Sequence, residues 1–235
     1  MTVEVVPGGD GEAAAWSTAL RVASILSDVP WALVGAQMVM LLENEAGRPS
    51  GRTTGDIDAL VDVRALAGGM RGAAARLVAA GFEPGGGHHP YRFLRGSERV
   101  DLLAPDHLGA RTDLTTVPPG TAAEIPGGSR ALASRRVLDV TVTGCGAGRL
   151  PVPSLIGGIV LKVRAWEARQ ALRDAEDLAR LLGLVRDVEA ARAELKPAER
   201  RSLGRVAPLG DERARAWLAA VDPDEARAAF LRLAD

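Results

Sequence analysis

The sequence predicts a mixed α/β (α+β) chain: a mixed sheet flanked by helices over residues 30–150, then a helical domain over 151–235, with 1–29 as an N-terminal leader and helix. Three observations predict it. Between Pro30 and Pro153, short apolar runs bounded by Gly and Pro alternate with stretches of helical spacing. After Pro153 turn residues become scarce and Ala, Leu, Arg and Glu dominate. With 235 residues, 47% of them hydrophobic, the chain can bury a sizeable core, and 3% aromatics makes that core mainly aliphatic.

The elements follow in order. The Gly-rich residues 1–11 read as a loose leader, and "EAAAWSTALRVASILS" (12–27) as a helix stopped before Pro30. "WALVG" (31–35) is a short strand and "AQMVMLLENEAG" (36–47) a helix closed by Gly47. "DIDALVDV" (56–63) is the next strand. The Ala-rich 64–81 is a helix that Gly68 and Gly69 weaken in its first turn. "YRFLR" (91–95) and "RVDLLA" (99–104) form a hairpin about "GSE". Prolines and glycines mark 117–130 as loop, and 132–142 and 149–153 supply further strands. The helical half breaks near Lys196–Pro197, Gly210 and Pro223.

A net charge of −1 lacks the strongly basic balance of a non-specific nucleic-acid binder, although arginines crowd 160–215 and leave a local basic face open. A single cysteine, Cys145, allows no internal disulfide and no multi-cysteine zinc site, which suits a reducing, cytoplasmic setting. The first residues do not have a signal peptide's pattern, and no window is apolar enough to span a membrane.

The chemistry centres on "RTTGDIDALVDV" (52–63). Strand side chains alternate, so Asp56 and Asp58 share one face. Two adjacent carboxylates repel unless a cation lies between them, and magnesium with substrate phosphates is the usual resolution. Asp101 sits between Val100 and Leu102 in an apolar strand, where a carboxylate needs a partner or a metal. Gly35 makes a tight strand-to-helix turn, a place where a helix N-terminus can approach phosphate. Arg48, Arg52 and Thr53 stand just before the paired acids and supply cations and a hydroxyl.

"LVGAQMVMLLENEAGRPSGRTTGDIDALV" resembles the signature of the polymerase-β-like nucleotidyltransferase superfamily: an apolar strand, a Gly turn, a helix, Asp-x-Asp on the next strand and a third acid on a later one. Gly35, Asp56, Asp58 and Asp101 fall on it in order. Ala36 stands where the family has a second Gly or Ser, which removes a hydroxyl and leaves the backbone N–H. "VPSLIGGIVLKVRAWEARQALRDAEDLARLL" (152–182) looks like the C-terminal segment of AbiEii-type and MenT-like bacterial nucleotidyltransferases, many of them toxins of toxin–antitoxin systems; Lys162 and "RDAEDL" (173–178) match. The resemblance covers about 30–182.

The resemblance implies a nucleotidyltransferase-like fold that moves an NMP from an NTP to an acceptor hydroxyl. Asp56, Asp58 and Asp101 would hold two magnesium ions, and Asp101 would help deprotonate the acceptor. Lys162 would reach the triphosphate, and Gly35, Ala36, Arg48, Arg52, Thr53 and Asp174 would bind the nucleotide. The acceptor would be tRNA or another RNA, with an antitoxin protein as a further partner. A small-molecule (aminoglycoside-type) acceptor, or a non-catalytic binding module on the same fold, are the competing readings. Arg92 is a further candidate for phosphate or acceptor contact. Asp177 ranks below Asp174; on an unbroken helix it would share a face with Lys162, Trp166, Arg169 and Arg173. His88 and His89 lack a third ligand in register and read as loop. His107, Cys145 and Asp62 carry no assigned role.

Overall fold

The computed structural model describes residues 2–49, 52, 54–66, 68–86 and 89–235. Thr53 and His88 lie outside the described residues. The architecture is mixed α/β, with parallel and antiparallel pairs in two sheets and helices throughout the C-terminal part.

The larger sheet carries the acids. Strands β2 (Trp31–Val34), β3 (Asp56–Val61), β4 (Glu83–Pro84), β5 (Arg92–Arg95) and β6 (Glu98–Pro105) are ordered β2-β3-β6-β5-β4, and β7 (Ala123–Ile125) pairs with the far half of β6. The β3–β6 pair is parallel, while β2–β3 and β5–β6 are antiparallel. Ile57, Ala59, Val100 and Leu102 are fully buried at the alternate positions to Asp56, Asp58 and Asp101. Helix α1 (Asp10–Ile25) packs on β3 and β6, and α2 (Gly35–Glu45) follows β2 without a linker.

The smaller sheet corrects the expected leader. Thr2–Val5 is a strand, β1, that pairs in parallel with β8 (Arg135–Val142), which in turn pairs antiparallel with β9 (Gly146–Pro153). The reason is visible in "TVEV": Val3 and Val5 are buried and Thr2 and Glu4 exposed, a period-two pattern only four residues long. Strand β1 and helix α1 therefore contribute to the α/β body and do not stand apart from it.

Two other expectations shift. The helix read over 64–81 begins only at α3 (Gly69–Ala79), because Gly68 and Gly69 both take positive φ. The expected loop 117–130 contains β7 and the start of α4 (Gly128–Ala133). Asp106 organises that start: its carboxylate accepts from the backbone N–H groups of Gly127 (2.6 Å) and Ser129 (2.8 Å). A cap 21 residues upstream leaves no local sequence signal.

From Leu155 onward the chain is helical: α5 (Leu155–Arg169), α6 (Leu172–Leu182), α7 (Val188–Glu194), α8 (Pro197–Gly204), α9 (Ala207–Gly210), a 3-10 turn at Arg215–Ala219 and α10 (Pro223–Ala234). Breaks fall at Pro197, Gly210 and Pro223 as expected. Others fall between Leu182 and Val188, between Gly204 and Ala207, and at Gln170, which adopts φ 49°, ψ 34° and folds α6 back on α5. Helix α5 starts at an N-cap, Ser154 Oγ accepting from Gly157 N, and its residues 156–163 are all buried. No helix among the described residues is long and apolar enough to cross a membrane.

Candidate active site

The acids and the helical half meet across one cleft. Its volume is about 540 Å³, within the range of small-molecule sites. The floor is the sheet face carrying Asp56, Asp58 and Asp101. The N-terminal turn of α2 (Gly35, Ala36) forms one side, and α5 and α6 form the wall bearing Lys162, Arg169, Arg173, Asp174 and Asp177. Arg52, His89, Tyr91, Arg92 and Glu124 also line it.

Strand register explains the floor. Asp58 lies directly beside Asp101 in the parallel β3–β6 pair, and Asp101 lies opposite Arg92 in the β5–β6 hairpin. Cross-strand partners share a face, so two acids and an arginine stand in one row. Asp56 is likewise opposite Arg99, whose Nε is 2.9 Å from Asp56 Oδ1.

Arg92 is the central cation of that row. Its Nε donates to Asp101 Oδ1 at 2.8 Å and its Nη2 to Asp101 Oδ2 at 2.9 Å, a two-pronged pair. Nη2 also reaches Asp56 Oδ2 at 3.4 Å. These carboxylates raise the Arg92 pKa still further, the Asp101 hydrogen bonds foremost. Asp58 has no hydrogen bond or ion pair among the described residues. Desolvation at the floor, then the charge of Asp101, push its pKa up to about 6; Lys162 opposes them.

Gly35 allows Asp58 to sit where it does. A Cβ on Gly35 would stand 1.8 Å from Asp58 Oδ2 and 2.7 Å from Cγ, and the residue has φ 68°. Only glycine satisfies both demands, so the turn and the carboxylate are specified together.

On the opposite wall Lys162 is 4% exposed and Asp177 is fully buried. Lys162 Nζ lies 2.7 Å from Asp177 Oδ2. Arg52 Nη2 donates to the same oxygen at 3.2 Å, and Arg52 Nε stands 3.0 Å from Oδ1. Asp174, 1% exposed, accepts two hydrogen bonds of 2.7 Å from Arg169, and these raise the arginine's pKa. Lys162 and Asp177 meet because the chain turns back at Gln170, not because they share one unbroken helix.

The structure therefore brings Gly35, Ala36, Arg52, Asp56, Asp58, Asp101, Lys162 and Asp174 together around the cleft. Arg48 is elsewhere: its Nη1 donates to Gly183 O at 3.0 Å and to Glu225 Oε2 at 2.5 Å, tying the loop after α2 to α10. Its nearness to the acids in sequence misleads, because its own side chain pairs with the helical half. Arg169 was named in the sequence only as a neighbour of Lys162 on one helix face, and Arg99 not at all; its pairing with Asp56 depends on the parallel β3–β6 register.

As placed, no group of three or more His, Cys, Asp or Glu side chains among the described residues is arranged to hold a metal ion. The donor chemistry nonetheless fits a hard divalent cation. Three carboxylates share a face, and Asp58 has no ion-pair partner among the described residues. Arginine is the partner of the other two, Asp101 and Asp56. No family model matches the chain, and no curated protein sequence matches it.

Proposed function

We propose that the chain is a nucleotidyltransferase with a nucleotidyltransferase-like fold, moving an NMP from an NTP to an acceptor hydroxyl. The observation that carries this reading is the registered row of Asp58 and Asp101 facing Lys162 across a nucleotide-sized cleft. In the reaction the acceptor oxygen bonds to the α-phosphorus, the bond to pyrophosphate breaks, and the acceptor proton passes to a carboxylate. Such a transfer depends on positioning and charge neutralisation more than on covalent chemistry.

The chain's residues divide the work. The backbone N–H groups at the start of α2 and the Lys162 ammonium bind the triphosphate. Arg52 and Asp177 fix the lysine's position; Asp177 is a positioning residue in this scheme. Asp174 holds Arg169 at the cleft wall. Asp56, Asp58 and Asp101 would hold magnesium, which when bound supplies charge neutralisation at the attacking and leaving oxygens. Asp101 takes the acceptor's proton once its oxygens are released from Arg92.

RNA, tRNA included, is the acceptor we favour, because Arg173 is an exposed cation at the cleft mouth. An antitoxin protein is then a further partner and the cytoplasm the setting. A small-molecule acceptor is the second reading. Several arginines of the helical half are already paired, among them Arg164 with Glu167, Arg186 with Glu225 and Arg232 with Glu189, which reduces the basic face. Incubation with each labelled NTP, magnesium and total cellular RNA tests the choice: a labelled RNA whose yield falls steeply with salt supports an RNA acceptor. Label appearing only on an added aminoglycoside-type acceptor supports the second.

A further inference from the structure

Arg92 fills the space that a cation on the acids would need. Its guanidinium grips both oxygens of Asp101 and reaches Asp56 at 3.4 Å, where Arg99 is the nearer partner at 2.9 Å, so two of the three carboxylates already face a cation. The grip is built into the backbone. Arg92 and Asp101 are cross-strand partners of one hairpin. Gly85 N donates to Arg92 O at 2.6 Å, and a Cβ on Gly85 would lie 3.2 Å from Arg92 Cβ and 3.3 Å from Cγ. The small residue at Gly85 therefore gives the arginine side chain its room. One flank of that side chain faces the cleft, where it keeps 20% of its surface exposed. It can leave the acids without crossing the core.

We propose that Arg92 is a tethered counter-cation: it occupies the carboxylates when no divalent cation is bound, and on cation binding it turns into the cleft to hold the nucleotide's phosphates. This rests on the nucleotidyltransferase reading of the cleft. Two positive groups cannot share Asp101 and Asp56 in the same geometry, so metal and arginine compete. The phosphates that arrive with the metal offer the displaced guanidinium a new planar, two-pronged partner. Arg92 then has two effects of opposite sign: it weakens binding of the metal alone and strengthens binding of the metal-bound nucleotide. A merely structural arginine would weaken both when removed.

The test titrates the full chain with Mn²⁺ alone by calorimetry, then with an NTP in saturating Mn²⁺. Arg92→Gln is expected to bind Mn²⁺ at least about tenfold more tightly than the wild type and the nucleotide at least about tenfold more weakly. Arg92→Lys keeps a cation without the fork and is expected to fall between them in both; it carries the test if Arg92→Gln does not fold. Asp58→Asn in the wild-type background reports whether the titrated ion sits on the acids. If Asp58→Asn lowers Mn²⁺ binding but neither Arg92 variant raises it, the counter-cation role is overturned and the nucleotidyltransferase reading stands. Unchanged nucleotide affinity in both Arg92 variants overturns the turn toward phosphate. If Asp58→Asn leaves Mn²⁺ binding unchanged, the metal reading falls and takes this inference with it.

Discussion

Asp58 and Lys162 place opposite demands on the same cleft. An aspartate ordinarily titrates near ~3.9, and Asp58 is raised to about 6 by desolvation and by Asp101. Between about pH 4 and 6 the folded chain therefore holds a proton there that the unfolded chain has lost. Asp58 carries no ionisation cost below about pH 4; the cost grows as pH rises from about 4 to about 6 and is then constant. Asp58→Asn is expected to stabilise the cation-free protein by on the order of 2 kcal/mol at pH 8 and by almost nothing at pH 4. Urea unfolding at the two pH values in EDTA measures this; an equal effect at both would contradict the assigned cause. Lys162 is the reverse case. Its removal leaves Arg52 as the remaining ion-pair partner of buried Asp177 among the described residues, so Lys162→Ala is expected to cost about 3 kcal/mol. A loss below ~1 kcal/mol in the same unfolding assay would mean that the pair is more solvated than its geometry implies.

At the scale of elements, the strand that begins with Asp56 was legible because alternation is a rigid rule: Asp56 and Asp58 had to share a face. The partner of Asp101 was not legible: a three-residue turn "GSE" would set Phe93 opposite it, whereas Glu98 already pairs with Arg95, the turn is Gly96-Ser97, and Arg92 takes that place. The Lys162–Asp177 pair was legible in its residue types but not in its route. Helical spacing from 152 to 182 is continuous, and nothing in Gln170 announces a left-handed residue. Such a conformation costs a non-glycine residue about 1 kcal/mol or more, and the contact between α5 and α6 offsets it. Gln170→Gly is thus expected to raise stability by about 0.5–1 kcal/mol in urea unfolding without altering the cleft; a loss of stability would assign the Gln170 side chain a role that its backbone does not suggest. Gly35 tolerates no such change. Gly35→Ala would force Asp58 from its place, and Mn²⁺ or nucleotide binding measured on that variant is expected to fall at least about tenfold. Wild-type binding by Gly35→Ala would separate the turn from the carboxylate.

Across the whole molecule, the helical run of the back was legible from composition, because turn residues become scarcer after Pro153 and Ala, Leu, Arg and Glu dominate. The role of the ends was not. Strand β1 is too short for its alternation to stand out, and its partner β8 lies 130 residues away; Arg48 gives no hint that it ties to α10. Long-range pairing of this kind depends on where the chain returns, which local pattern does not encode. Strand β1 packs on α2 and α10 on α6, two helices that line a cleft whose floor comes from the front and whose cationic wall comes from the back. The central claim is that this cleft transfers a nucleotide. The most direct test is pyrophosphate release from labelled NTPs with magnesium and cellular RNA, run on the wild type and on Asp58→Ala. The account predicts acceptor labelling with matching pyrophosphate in the wild type and neither in Asp58→Ala; equal labelling by both proteins would contradict it.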